Sequence, residues 1–188
     1  MFRNRLSLVL VAVAALAWAG PDTEGTAAGQ SVADALRDFA KTDVAFVAAG
    51  QLRTTTSEDL VAQIQYPSDE IAVVKLTGKQ LKAALERAVS LYPSPNPGFL
   101  QISGLEVSFR ARGGADARIS SVSVNGGALD ASRTYSVAMP GSLARGGLGY
   151  FTVWEKTAID RTISGATLES VLKGKTVGAR ASRWKLAD

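Results

Sequence analysis

The stretch Ile71-Ala72-Val73-Val74-Lys75-Leu76-Thr77-Gly78-Lys79-Gln80-Leu81-Lys82-Ala83-Ala84-Leu85-Glu86-Arg87-Ala88-Val89 changes its period once, and that change decides the fold. Ile71 to Leu76 is an almost continuous apolar run of strand length, the pattern of a strand covered on both faces. Thr77-Gly78-Lys79-Gln80 follows at once. A Thr at the cap and a Gln three residues later bond reciprocally to free amides, so the spacing predicts a helix start. Leu81, Ala84, Leu85, Ala88 and Val89 then recur at helical spacing and mark one buried face. A covered strand running straight into an amphipathic helix predicts sheets packed with helices.

Reading upstream, Val44 to Val47 is a second apolar run that suits a buried strand. Val32, Ala35, Leu36 and Phe39 predict a helix over 31–41, with Ser31 and Asp34 in capping-box spacing. Ser57, followed by Glu58 and Asp59, predicts a short helix to about Gln65, ended by Tyr66-Pro67. Downstream, Leu105, Val107 and Phe109 alternate with Glu106 and Ser108, and Val122 and Val124 alternate with Ser121 and Ser123. Both predict half-buried strands, separated by the turn-rich Arg112-Gly113-Gly114-Ala115-Asp116. Thr134 to Met139 predicts a further strand, Gly146-Gly147-Leu148-Gly149 a flexible loop, and Leu168 to Lys173 a helix capped from Ser164. Thr77-Gly78-x-x-Leu81-x-x-x-Leu85 is echoed by Ser164-Gly165-x-x-Leu168-x-x-x-Leu172, by chance or by internal duplication. Phe46 and Phe99 sit in apolar strands and read as core. Lys75, Lys79 and Lys82 read as a solvated face, and Arg180 to Lys185 as a terminal strand of alternating exposure.

No composition break divides this region, so residues 31–188 read as one α+β domain with mixed or antiparallel sheets packed with helices. The chain has 188 residues, 46% of them hydrophobic, with a net charge of +4 and neither Cys nor His. Without Cys there is no disulfide framework, no thiolate nucleophile and no thiolate zinc site. Without His there is no Ser-His or Cys-His relay, no imidazole ligand and no histidine acid/base. No spaced pair of the remaining Asp, Glu, Lys, Ser and Tyr announces acid/base work, so the reading leans away from an enzyme.

The N-terminal segment reads as an address. Arg3 and Arg5 precede an apolar run from Leu6 to Ala17, and Ala17-Trp18-Ala19 fits a small-x-small cleavage site, so residues 1–19 are expected to be a secretory signal peptide. An uncleaved N-terminal anchor is the other reading. The run is shorter than the roughly 20 apolar residues of a membrane-spanning helix. Residues 20–30 read as a flexible leader. The expected location is periplasmic or extracellular, with no membrane contact after cleavage. Removing Arg3 and Arg5 leaves a charge too small for a nucleic-acid binder.

Five blocks, in order, carry a resemblance: Gly29-Gln30-Ser31-Val32-Ala33-Asp34-Ala35-Leu36, Asp43-Val44-Ala45-Phe46-Val47-Ala48-Ala49-Gly50-Gln51-Leu52-Arg53, Ile71 through Leu81, Gly98-Phe99-Leu100-Gln101-Ile102-Ser103-Gly104-Leu105, and Gly146-Gly147-Leu148-Gly149-Tyr150. Together they resemble the C-terminal domain of the 5'-nucleotidase and UDP-sugar hydrolase family over nearly all of the chain beyond the leader. The resemblance implies divided labour. In that family an N-terminal metallophosphatase domain carries a dinuclear metal site, and the C-terminal domain grips the nucleoside and sets substrate choice. This sequence resembles only the second half, and a chain without His cannot build that metal site. No cofactor is expected.

Position by position, the resemblance implies a reduced ligand site. The family's Asn-x-Gly-Gly-Ile-Arg falls on Ala48 to Arg53, where Gly50 and Arg53 remain and Ala48 replaces the Asn. The family's Gly-Gly-Asp-Gly-aromatic loop, whose ring stacks on the base, falls on Gly146 to Tyr150. Gly147, Gly149 and Tyr150 are kept and Leu148 replaces the Asp. Tyr66 beside Pro67 aligns with a second clamp ring, with aromatic and Pro exchanged in order. A further family arginine would fall in the Pro21 to Gly29 leader, which has none. Each lost hydrogen-bonding partner costs roughly 0.5–1.5 kcal/mol. Two function classes follow. One is an exported module binding a nucleoside, nucleotide or similar small molecule, alone or beside a separate metallophosphatase subunit. The other is a scaffold for protein interaction or dimerisation without a ligand, in which Arg53 ties down its own loop and Tyr150 plugs the domain edge. Convergence of Arg53, Tyr150 and Tyr66 on one cleft is what separates them.

Overall fold

A computed structural model describes residues 20–114 and 117–187, and the expected signal peptide lies outside them. Strands β1 (Val44–Ala48), β2 (Glu70–Thr77), β3 (Leu100–Ser103), β7 (Thr134–Pro140) and β8 (Ile159–Thr167) form a five-stranded sheet in the order β3-β1-β7-β2-β8. Strands β4 (Leu105–Arg110), β5 (Ile119–Val124), β6 (Gly127–Ala128) and β9 (Trp184–Ala187) form a four-stranded sheet in the order β6-β5-β4-β9. Each sheet is antiparallel apart from one parallel pair, β1 with β7 and β4 with β9. Four helices, α1 (Ala27–Ala40), α2 (Gly78–Ala88), α3 (Gly141–Ala144) and α4 (Leu168–Leu172), complete the expected α+β architecture.

The continuous apolar runs are strands buried on both faces. One face of the large sheet, with Val44, Phe46, Val74, Leu76, Val137 and Met139, packs on α2 and the small sheet. The other face, with Ala45, Val47, Ile71, Val73 and Ala138, packs on α1, α4, Leu60 and Ile64. A strand buried on both sides has no polar positions to alternate, which is why β1 and β2 read as runs. The capping box of α2 forms as the spacing predicts, with Thr77 Oγ1 accepting from Gln80 N at 3.3 Å and Gln80 Oε1 accepting from Thr77 N at 3.0 Å. Leu81, Ala84, Leu85, Ala88 and Val89 are all buried. Phe46 and Phe99 are core, and Trp184 leads the terminal strand into the same cluster.

Four local expectations are corrected. The first helix starts at Ala27 rather than Ser31, because Thr26 Oγ1 accepts from Gly29 N and serves as its cap. The leader is correspondingly shorter and docked: the Gln101 carboxamide reaches the carbonyls of Pro21 and Glu24, and Asn96 N donates to Asp22 O. Residues 57–65 form turns and two isolated bridges, Leu52 to Ile64 and Asp59 to Thr176, in place of a helix. The Asp59 carboxylate takes Val61 N, and Leu60 N donates to Lys175 O, so the local amides are spent before a helix can use them. Ser164 belongs to β8, and Thr167 caps α4, because pairing with β2 continues as far as Glu70 opposite Thr167. The Thr77/Ser164 echo therefore has no common structural register.

Candidate functional site

Parallel β1 and β7 end together, and the chain segments leaving them build one end of the large sheet. After β1 the chain makes a single turn of 3-10 helix, Ala49–Gln51, into Leu52 and Arg53. After β7 it forms α3 and then a tight turn over Gly147–Thr152, in which Gly146, Leu148 and Gly149 take φ of 89°, 54° and 80°. Such angles suit glycine, and Leu148 is the one residue of the three that carries a Cβ there. The two turns meet at Gly50, where an added Cβ would lie 3.2 Å from Leu148 Cδ2. Gly50 N donates to Pro97 O at 2.8 Å, so the glycine is fixed as well as crowded.

A polar chain running from buried Gln51 out to exposed Arg145 holds these segments together. Gln51, only 4% exposed, accepts from Ala48 N at 3.0 Å and donates to Ser142 Oγ at 2.9 Å. Ser142 Oγ donates in turn to Asp69 at 2.5 Å, and Arg145 approaches the same carboxylate at 3.7 Å. Nothing in the spacing of positions 51, 69, 142 and 145 announces this network, which exists only once β1, β2 and β7 are neighbours.

Arg53 is exposed, and its guanidinium makes a long 3.5 Å contact with Gln65 O, leaving donors turned to solvent. Its loop is pinned by Arg53 N to Gln63 O and by Gln65 N to Gln51 O, both 2.8 Å. Tyr66 follows on the same strip, 54% exposed.

Tyr150 is placed differently from the clamp role expected of it. It is fully buried, stacked on Trp154 with ring centroids 4.8 Å apart, with the Arg87 guanidinium 5.3 Å above its ring. Its hydroxyl donates to Gly98 O at 2.6 Å. Burial pushes the phenol far above its ordinary range, opposed by the charge on Arg87, so it stays a neutral donor. In this conformation no ring surface is left for a base. The exposed aromatic of the turn is its neighbour Phe151, 69% exposed, which the sequence reading passed over. Gly50, Arg53, Tyr66, Gly147 and Gly149 thus share one end of the sheet, but Tyr150 belongs to the packing beneath it. They form an open face in place of a closed cleft. A groove of about 420 Å³ lies beside it, lined by Phe151, Trp154, Gln80 and Glu155 among others. Among the described residues no three carboxylates converge to hold a metal.

The fold and this sheet end define a class. The family model described as 5'-nucleotidase, C-terminal domain, matches residues 12–158, and the chain belongs to that family. A search of curated protein sequences gives no match. Among solved structures, a 5'-nucleotidase precursor from Thermus thermophilus is similar at 26% identity and a TM-score of 0.76, over 88% of this chain and 36% of that one. A putative 5'-nucleotidase from Staphylococcus aureus in complex with alpha-ketoglutarate shares the fold at 18% identity and a TM-score of 0.68, over 88% and 37% of the two chains. The Haemophilus influenzae NAD nucleotidase does so at 19% and 0.66, over 87% and 33%. The chain spans about a third of the length of these structures.

Proposed function

We propose that the protein is a nucleoside- or nucleotide-binding domain of 5'-nucleotidase type, gripping its ligand on the open sheet end where the Gly50–Arg53 and Gly146–Phe151 turns meet. The observation that carries the reading is that meeting, in a member of this family, beside an arginine whose donors face solvent and two exposed rings, Tyr66 and Phe151. Arg53 offers the ligand's polar groups a planar fork, and the rings offer stacking surfaces for a flat base. An open face suits a half-site, completed by a separate metallophosphatase that brings the metal centre and the hydrolytic step. Residues 1–19 then serve as the export signal, in line with the precursor status of the Thermus relative.

Two observations favour the docking reading instead: Tyr150 is buried and does not converge with Arg53 and Tyr66 on a cleft, and Leu148, which stands where the family motif has Asp, is 39% exposed. Calorimetry separates the two readings. The nucleotide reading expects saturable, submillimolar to millimolar binding of adenosine, AMP or a UDP-sugar. Arg53→Ala weakens it by about 1.5–3 kcal/mol, as for a hydrogen bond to a charged group, with no change in melting temperature. Absence of binding by every nucleoside and nucleotide at millimolar concentration overturns it in favour of docking.

A further inference from the structure

A second concave feature adjoins the same turn, sharing Thr152 and Val153 with the groove beside that face. Helix α2, the Gly113–Gly114 turn, Arg118 and the Thr152–Val153 segment enclose a groove of about 870 Å³. Four cations line it: Lys79, Lys82, Arg87 and Arg118. On sequence Lys79 and Lys82 belong to a solvated helix face, but the fold gives that face an opposite wall.

Among the described residues the groove sets four cations against one carboxylate, Glu86. Among the described residues none of the four cations pairs with a carboxylate. Glu86 also lines the groove, yet it is 5% exposed and its two oxygens are occupied by Arg118 N at 2.9 Å and Ile119 N at 3.0 Å. Both arginines are positioned by main-chain carbonyls. Arg118 Nη1 donates to Val89 O at 3.0 Å and Tyr92 O at 2.7 Å, and Arg87 Nη2 donates to Leu148 O at 2.7 Å. Carbonyls orient a guanidinium without cancelling its charge, and Arg87 Nε is buried without a partner. Lys79 and Lys82 are exposed and one helical turn apart, free to close on a ligand. The first amides of α2 play no part, because Gly78 N and Lys79 N already donate to Arg133 O and Ala131 O.

We propose that this groove binds a multiply charged phosphate compound, with Arg87 and Arg118 as fixed charges and Lys79 and Lys82 as mobile partners. Arg53 is not among its cations, and the site needs no nucleobase. Inorganic triphosphate is the probe, since it has no base to stack, and amide NMR of the protein reads where it lands. The expected result is saturable shifts at Gly78, Lys79, Lys82 and Ala83, weakened about tenfold or more in Lys79→Glu/Lys82→Glu and unchanged in Arg53→Ala. Both lysines are exposed, and an unchanged melting temperature for the double variant shows that the fold is kept. Non-saturating shifts scattered over the surface, shifts centred on Gly50–Arg53, or a double variant that binds like the parent would each overturn the proposal. Adenosine binding at Arg53, which uses no charge on the ligand, stands or falls separately.

Discussion

At the scale of single residues, two neighbours in one turn have opposite fates. Tyr150 is buried with its hydroxyl on Gly98 O, and Phe151 is exposed. Tyr150→Phe strands that carbonyl, so it should cost about 1–3 kcal/mol of stability, and Tyr150→Ala about 3–5 kcal/mol as a large-to-small core change. Phe151→Ala should stay within about 0.5 kcal/mol of the parent in urea denaturation while weakening nucleoside binding. An unchanged midpoint for Tyr150→Phe would mean that the ring is not packed as described. Sequence could align an aromatic residue with the turn, but not choose between adjacent rings. That choice rests on φ of 54° at Leu148 and 80° at Gly149, which turn position 150 inward. Arg53 was singled out only by the resemblance of Ala48 to Arg53 to the family motif. Gln51, Asp69, Ser142 and Arg87 were not, since each acts through a partner distant in the chain.

At the scale of elements, α2 was legible throughout, because its capping box and apolar face are local and agree with each other. Thr77→Ala should cost about 1 kcal/mol, measured by urea denaturation. The helix expected at 57–65 failed for the converse reason: its amides and carbonyls are taken by residues 51, 53 and 175, outside any local window. The C-terminal segment shows the same non-local logic. Asp34 on α1 accepts from Ser103 at 2.6 Å, Arg180 at 2.9 Å and Arg183 at 3.0 Å, tying the approach to β9 across α1 and β3. Burial alone would raise the Asp34 carboxyl, but hydrogen bonds from Arg183, Ser103 and Arg180 and the charge on Arg183 outweigh it and hold it below its ordinary value. The stability it supplies is therefore full above the unfolded-state value and drains away as pH falls through the lower folded one. Thermal melts should decline below about pH 4. Asp34→Asn should lower the melting temperature at pH 7 and flatten that decline, and an unchanged acid slope would remove Asp34 as its source.

At the scale of the whole molecule, the two sheets and their helices bring two turns more than ninety positions apart in sequence to one open edge, where Gly50 admits Leu148 and Arg53 keeps donors for solvent. With no histidine in the chain, the protein is expected to release no phosphate from AMP or UDP-sugars with any divalent metal; chelator-sensitive turnover in material free of host phosphatase would contradict this. The most direct test of the central claim is an amide NMR titration of the protein with adenosine, which carries no phosphate for the α2 groove. Saturable shifts should centre on Gly50 to Arg53, Tyr66 and Gly147 to Phe151, and Arg53→Ala should weaken them about tenfold or more. Saturable shifts elsewhere, or none at millimolar adenosine, would contradict the account.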